Sequence, residues 1–164
     1  MQRTDAHQHF WQIARGDYAW LNGGNPGVAA LARDFMPDAL APALRKHGVS
    51  RTVLVQATDS VAETDFMLTL ADAHDFVAGV VGWVDLTSED AVPTLERLAA
   101  NDRLKGVRPM LQDIPAPDWI VTAPRADAVR TLQRLGLRFD ALVRPRQLEP
   151  LARFARAWPE LAVV

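Results

Sequence analysis

Short runs typical of β-strands alternate along this chain with longer segments of helical periodicity, and this alternation constrains the fold more than any other feature. The strand candidates cover 4–9, 51–56, 76–84, 104–108 and 137–143, and 161–164 begins a sixth. The helix candidates between them cover 37–47, 60–74, 89–100, 125–135 and 147–158. Crossovers of this length form right-handed βαβ units, so the sequence predicts an α/β fold with a parallel sheet.

Local signals support several of these boundaries. Pro37 suits the first turn of a helix, and Gly48 stands where a left-handed residue ends one. Ser60 and Glu63 have the spacing of a capping box, which predicts a helix start at that point. The segment 51–56 is nearly continuous in apolar residues, as expected of a parallel strand covered on both faces.

The alternation permits two closures, an open doubly wound sheet or an arc of a barrel. No glycine-rich phosphate-binding loop follows the first strand, which disfavours the nucleotide-binding forms of the open sheet. The 164 residues form a single domain in this interpretation. They are too few for a complete (β/α)8 barrel, which needs roughly 250 residues.

The charge balance and the amino-acid composition exclude several classes of binding partner and site. With 18 Lys and Arg against 20 Asp and Glu, the chain has no broad attraction for nucleic acid or an anionic membrane. Cysteine is absent, which excludes a thiolate metal site and a cysteine nucleophile. Neither a signal core nor a membrane-length apolar segment is found, so we predict a cytoplasmic protein.

Asp5, His7 and His9 are the most distinctive candidate site residues. Residues two apart in a strand point to one face, so these three side chains emerge together at the end of the first strand. Two imidazoles so placed can bind one divalent metal or donate hydrogen bonds to a carbonyl oxygen. The alternative is that both histidines are merely hydrogen-bonded at a strand end.

Other strand candidates also end on polar or aromatic residues. Gln56 could donate an amide hydrogen bond, Arg108 could hold an anion or a hydroxyl group, and Trp83 could stack on a sugar ring. Packing of Trp83 in the core and pairing of Arg108 with a nearby aspartate are the alternatives. Active sites of parallel α/β folds lie at the C-terminal ends of the strands, which favours a shared site.

Two further sets are less distinctive. Trp11 and Trp20 lie in a long first loop, 10–35, which carries a glycine-rich run at 23–27. They form either a pocket wall or the anchor of that loop. Asp85 and Asp140 also follow strands, but helix capping explains both of them.

Several segments together resemble the amidohydrolase superfamily, and more narrowly its amidohydrolase-2 branch of sugar lactonases, which includes L-fuconolactonase-like proteins. They are His-Gln-His-Phe-Trp at 7–11, Tyr-Ala-Trp-Leu at 18–21, Val-Gly-Trp-Val-Asp-Leu at 81–86, Gly-Val-Arg-Pro-Met-Leu-Gln-Asp at 106–113 and Phe-Asp-Ala-Leu-Val-Arg-Pro at 139–145. The similarity runs in order across the whole chain.

The resemblance implies a (β/α)8 barrel of the TIM type that hydrolyses a sugar-derived lactone. It implies that His7 and His9 face the substrate carbonyl, and that Gln56, Trp83, Arg108 and Trp20 lie on the substrate side. In many superfamily members the paired histidines ligate a divalent metal, which implies zinc on His7 and His9. Lactonases of this branch need not depend on a metal, so a reaction without one is the alternative.

The family also supplies a histidine from strand six and a catalytic aspartate after strand eight, and neither matches a residue of this chain. About five βα units and the start of strand six are therefore expected, and we interpret the chain as the front part of a lactonase barrel. One alternative is a non-catalytic half-barrel that binds a ligand or self-associates through its open sheet edge. Another is an amidohydrolase-2 decarboxylase that acts on an aromatic acid.

Overall fold

The computed structural model describes residues 2–21 and 26–164. The strands are β1 (Thr4–Gln8), β2 (Arg51–Val55), β3 (Val77–Gly82), β4 (Leu104–Val107) and β5 (Arg138–Phe139). The helices are α1 (Pro37–His47), α2 (Val61–Ala73), α3 (Ala91–Ala99), α4 (Trp119–Thr122), α5 (Ala126–Arg134) and α6 (Leu148–Ala157). Positions 23–25 of the glycine-rich run lie outside the described residues, and its last two residues begin a short 3-10 helix, Pro26–Leu31.

The five strands form one parallel sheet in the order β1-β2-β3-β4-β5, so each strand pairs with its neighbour in sequence. This confirms the predicted parallel α/β architecture. All strand C-termini consequently lie at one edge of the sheet, and the residues that follow them are brought together there.

The predicted helix boundaries at Gly48 and Ser60 are confirmed. Gly48 has φ of 64°, a left-handed conformation that suits glycine, and its N–H donates to carbonyl groups at the end of α1. The Ser60 hydroxyl accepts a hydrogen bond of 3.0 Å from the backbone N–H of Glu63. This is one half of the capping box that the spacing predicts.

The main core lies between the sheet and its helices. Leu54 and Val80 from the sheet meet Leu95 and Leu132 from α3 and α5, and all four are buried. At the far end of the sheet the rings of Phe139 and Phe154 lie 5.1 Å apart between their centroids. This packing fixes β5 against α6.

The fifth strand is shorter than predicted, two residues instead of seven. It pairs with β4 through Gly106 and Val107. Beyond Phe139, single backbone hydrogen bonds continue the contact, from the N–H of Asp140 to Val107 and from the N–H of Ala141 to Val164. The segment 161–164 lies beside it in the predicted parallel sense, through an isolated bridge between Phe139 and Val163. The predicted strand 137–143 is thus reduced to Arg138–Phe139, and Leu142 beyond it is exposed.

The proline-rich segment that follows β4 contains the one-turn helix α4. Its Ile120 is buried in the main core. Among the described residues, no helix is both long and apolar enough to cross a membrane.

Candidate functional site

His7 and His9 converge at the C-terminal end of β1. Their Nε2 atoms lie 3.1 Å apart, and their rings meet edge to face. The Nδ1 atom of His9 lies 2.8 Å from the carbonyl oxygen of Val55 at the end of β2. A carbonyl can only accept, so Nδ1 carries the proton, and the Nε2 atom of neutral His9 is an acceptor toward Nε2 of His7 or a ligand.

Burial and the nearby guanidinium of Arg108 favour the neutral form of both imidazoles. Burial lowers the pKa of His7, and the positive charge of Arg108 lowers it further. Burial also lowers the pKa of His9, against the opposing effect of its hydrogen bond to Val55. Neutral imidazoles can donate, accept or ligate, whereas imidazolium can only donate.

Arg108, directly after β4, is the positive charge of this cluster. Its side chain is only 5% exposed, and one terminal nitrogen, Nη1, lies 3.5 Å from Nε2 of His7. The other, Nη2, donates to the backbone carbonyl of Gln56 at 2.5 Å. In return, the Gln56 side-chain amide donates to the carbonyl of Arg108 at 2.9 Å.

This reciprocal pair leaves part of Arg108 unused. Its Nε atom is buried and has no hydrogen-bond partner among the described residues. Burial lowers the pKa of Arg108 from its ordinary value, while the negative charges of Asp140 and Glu63 act in the opposite direction. A buried guanidinium with an unused donor is suited to an anionic or strongly polar ligand.

A cavity of about 390 Å³ opens beside this cluster. Its wall includes His9, Arg108, Met110, Leu31 and two indoles, Trp11 and Trp20. The indoles meet edge to face at 5.5 Å between ring centroids. The cavity therefore combines polar groups on the sheet side with an aromatic wall from the first loop.

Trp20 is positioned by a hydrogen bond as well as by packing. Its indole N–H donates to the carbonyl oxygen of Ala57 at 2.9 Å, and the side chain remains 37% exposed. Trp11, by contrast, is buried, and its indole N–H donates to the carbonyls of Leu31 and Arg33. Trp11 therefore anchors the loop as well as lining the cavity, and Trp20 lies in the cavity wall with the larger exposed fraction.

The structure brings four of the predicted residues into one hydrogen-bonded cluster: His7, His9, Gln56 and Arg108. Trp83 follows β3 at the same edge and is half-buried, but it does not line the cavity of His9. Its backbone N–H and carbonyl both bond the Thr64 hydroxyl. The role of Trp83 toward a substrate stays a prediction.

The aspartates near the strand ends differ from one another. Asp85 accepts hydrogen bonds from the backbone N–H and the hydroxyl of Thr87, as a local turn cap does. Asp5 accepts from the backbone N–H of His7 at 3.2 Å. Burial raises the pKa of Asp140, and the positive charge of Arg108 opposes that rise. Asp140 is therefore electrostatically part of the cluster.

Glu63 is the residue that the sequence did not single out for the site. Its side chain is fully buried, and its carboxylate accepts from the backbone N–H groups of Ala57 and Thr58 at 2.9–3.1 Å. Burial raises its pKa to about 7, against the hydrogen bonds from Thr58 and Ala57. The capping-box spacing located Glu63, but that spacing gave no signal for where its side chain goes.

A divalent metal fits part of this arrangement. Nε2 atoms 3.1 Å apart suit two ligands of one ion, and the His9 contact with Val55 is the second interaction that metal-bound histidines usually make. Among the described residues no third His, Cys, Asp or Glu joins the pair. His7 and His9 thus supply two ligands, fewer than the three protein ligands of typical catalytic zinc sites.

Comparison with known proteins gives one family and several relatives. The model of the amidohydrolase family Amidohydro_2 matches residues 4–164. An L-fucono-1,5-lactonase of Burkholderia ambifaria is 44% identical over 99% of this chain and 55% of its own length. A second L-fucono-1,5-lactonase, from Burkholderia multivorans, is 37% identical over 93% of this chain and 50% of its own length.

A solved structure agrees with these matches. An amidohydrolase from Burkholderia multivorans with bound Zn is 34% identical, with a TM-score of 0.84 over 99% of this chain and 56% of that chain. This chain thus spans about half the length of the curated relatives that it matches. Its five parallel strands correspond to an incomplete (β/α)8 barrel, as predicted.

Proposed function

This chain belongs to the amidohydrolase family, and on that premise we propose that its cavity binds a sugar-derived lactone, whose ester bond is opened by water. The observation that carries the proposal is the convergence of the Nε2 atoms of His7 and His9 beside the guanidinium of Arg108. A neutral imidazole pair next to a fixed positive charge suits a carbonyl that becomes an oxyanion. The relatives named as L-fucono-1,5-lactonases support the choice of a cyclic sugar ester.

The reaction divides between polarising the carbonyl and handling a proton. Water adds to the carbonyl carbon, the ring oxygen leaves as an alcohol, and the product is a hydroxy acid. We assign His7, His9 and Arg108 to the carbonyl, where negative charge develops on its oxygen. Removal of the proton from water requires a general base, and none of these three residues is given that role here.

The remaining predicted residues would bind or orient the substrate. Trp20 presents an exposed indole face to the cavity, which suits stacking on the apolar face of a sugar ring. Gln56 is fully buried, and its amide donates to the carbonyl of Arg108. Its contribution in this proposal is to fix the guanidinium, and direct contact with substrate stays a prediction, as it does for Trp83.

Zinc is the metal that the family and the zinc-bound neighbour suggest. We propose His7 and His9 as its ligands, with water or groups outside the described residues completing the coordination. A bound divalent ion would supply Lewis-acid polarisation of the ester carbonyl. The metal content of the purified protein should fall in a His7→Ala/His9→Ala variant, and an unchanged zinc stoichiometry would contradict this assignment.

The test of the function is a substrate screen on the protein at its natural length. A pH-indicator assay with a panel of 1,4- and 1,5-aldonolactones, L-fucono-1,5-lactone included, follows the acid that ring opening releases. We expect enzyme-dependent acid release from at least one sugar lactone. A panel of aromatic carboxylic acids distinguishes a decarboxylase, and turnover there with no lactone opened would overturn the proposal.

A further inference from the structure

A buried carboxylate lies beneath the aromatic wall of the cavity and takes no part in the proposed chemistry. Both oxygens of Glu63 accept from the backbone N–H of Ala57, at 3.1 and 3.0 Å, and one of them also accepts from Thr58 at 2.9 Å. Charge-assisted bonds of this kind are stronger than neutral ones. The carboxylate therefore holds the first two residues of the β2–α2 loop beyond Gln56.

The same two residues of the β2–α2 loop, Ala57 and Thr58, also bind the first loop. The carbonyl of Ala57 accepts the indole N–H of Trp20 at 2.9 Å. The hydroxyl of Thr58 donates to the backbone carbonyl of Asp17 at 3.1 Å. The contacts thus run without interruption from Glu63, through two backbone groups, to the aromatic side chain that faces the cavity.

We propose that Glu63 is a positioning residue for substrate binding, which acts by holding the β2–α2 loop so that Trp20 is fixed against the cavity. The inference rests on the proposed function in one respect only, that the Trp20 wall contacts the lactone. It assigns Glu63 no contact with substrate and no proton transfer.

Burying the Glu63 carboxylate costs desolvation free energy, which a residue that served stability alone would not need to incur. The group is fully buried, and the charges that face it are the carboxylate of Asp17, which disfavours its ionisation, and the guanidinium of Arg108. Tyr18 lies against the carboxylate as well. A glutamine of the same shape would avoid the cost of burying a charge.

The experiment replaces the carboxylate without changing its volume, with Glu63→Gln in the protein at its natural length. A side-chain amide offers one acceptor oxygen and turns an N–H₂ group toward backbone donors, so the loop is held less firmly. We expect the indole N–H of Trp20 to exchange with solvent about tenfold faster, the loss of one charge-assisted hydrogen bond. Exchange is followed by NMR of ¹⁵N-labelled tryptophan, with the Trp20 signal assigned from Trp20→Phe.

Kinetics separate positioning from general structural support. For a lactone that the wild type opens, KM should rise about tenfold and kcat should change much less, because ground-state binding is lost. The melting temperature at pH 8 should not fall. Glu160→Gln, an exposed glutamate, is the matched control and should leave KM, exchange and melting temperature unchanged.

A double-mutant cycle gives an independent reading. If Glu63 acts through Trp20, then Glu63→Gln should raise KM no further in a Trp20→Phe background. Additive effects would overturn the inference, as would unchanged indole exchange, or a melting temperature at pH 8 that falls with activity. A wild-type protein that opens no lactone would refute the proposed function instead, and the indole exchange would still decide the role of Glu63.

Discussion

The histidine pair and Glu63 lie at the same edge of the sheet and differ in how their polar atoms are used. The Nε2 atoms of His7 and His9 face each other, and His9 also lines the cavity. The Glu63 carboxylate is fully buried and bound by backbone N–H groups. Burial favours the neutral form of all three, lowering the pKa of the histidines and raising that of Glu63 to about 7.

This difference in how the polar atoms are used distinguishes two roles that an ionisable residue can have at a site. Groups with free lone pairs at a cavity can act on a ligand, whereas a group whose acceptors are occupied by the backbone can only hold structure. Removing a group of the first kind should greatly reduce turnover and leave the fold unchanged. Replacing a group of the second kind should change how the free energy of unfolding depends on pH and should alter kcat much less.

The largest effect is expected from the histidines. We predict that His7→Ala/His9→Ala lowers kcat/KM for a lactone by about 10²–10⁴-fold, because carbonyl polarisation is lost. Steady-state kinetics measure it, and His47→Ala, at the end of α1, is the matched control. A double variant with wild-type kcat/KM would end the distinction between the two regions.

Arg108 is predicted to come next. Arg108→Met keeps an apolar stem and removes the charge, so kcat should fall about 10²-fold if the guanidinium stabilises the oxyanion. The exposed Arg156→Met serves as control. A rise in KM with unchanged kcat would show instead that Arg108 contributes only to ground-state binding.

The stability of the Glu63→Gln variant tests the other side of the comparison. The folded pKa of Glu63, about 7, exceeds its ordinary value of 4.5, so its stabilising contribution is present below about pH 4.5 and is lost as pH rises through 7. The free energy of unfolding of the variant, relative to wild type, should therefore increase by up to about 3 kcal/mol between pH 5 and 8.

Urea denaturation at the two pH values measures this change. Glu160→Gln, with its side chain in solvent, should show the same difference from wild type at both. A Glu63→Gln variant whose relative stability does not depend on pH would mean that burial does not raise this pKa.

The smallest effect is expected for Asp5. Its carboxylate accepts from the backbone of His7, a bond that Asp5→Asn can retain through its amide oxygen. We predict a change in kcat/KM of less than about fivefold, the range of a partly exposed charge. A loss of 100-fold or more would show that Asp5 takes part in the chemistry, as proposed for the histidines.

Much of this site follows from the sequence because strand ends are easy to locate. The segments before Gln56 and Arg108 are short and mostly apolar, the one before His9 ends in a distinctive His-Gln-His pattern, and a parallel sheet brings all three ends to one edge. The mutual bonds of Gln56 and Arg108 could not be predicted, since they join residues 52 positions apart. The length of β5 was overestimated because apolar residues continue past Phe139, where single backbone hydrogen bonds replace regular strand pairing.

Glu63 marks the limit of reasoning from spacing. The sequence correctly predicts that its backbone N–H bonds Ser60, which is a local contact three residues away. Its side chain instead reaches back to Ala57 and Thr58, and their groups in turn meet a loop some forty residues earlier. Only the packing of that loop shows what the carboxylate supports.

The pairing of Gln56 with Arg108 also ties two strands that are not neighbours. β2 and β4 flank β3, and the bonds between the two side chains and carbonyls pass over its end. The curvature of the sheet and the orientation of the Arg108 guanidinium are therefore coupled. Flattening the sheet would move the ends of β2 and β4 apart and strain both hydrogen bonds. The two bonds therefore help to maintain the curvature of the sheet beside the cavity.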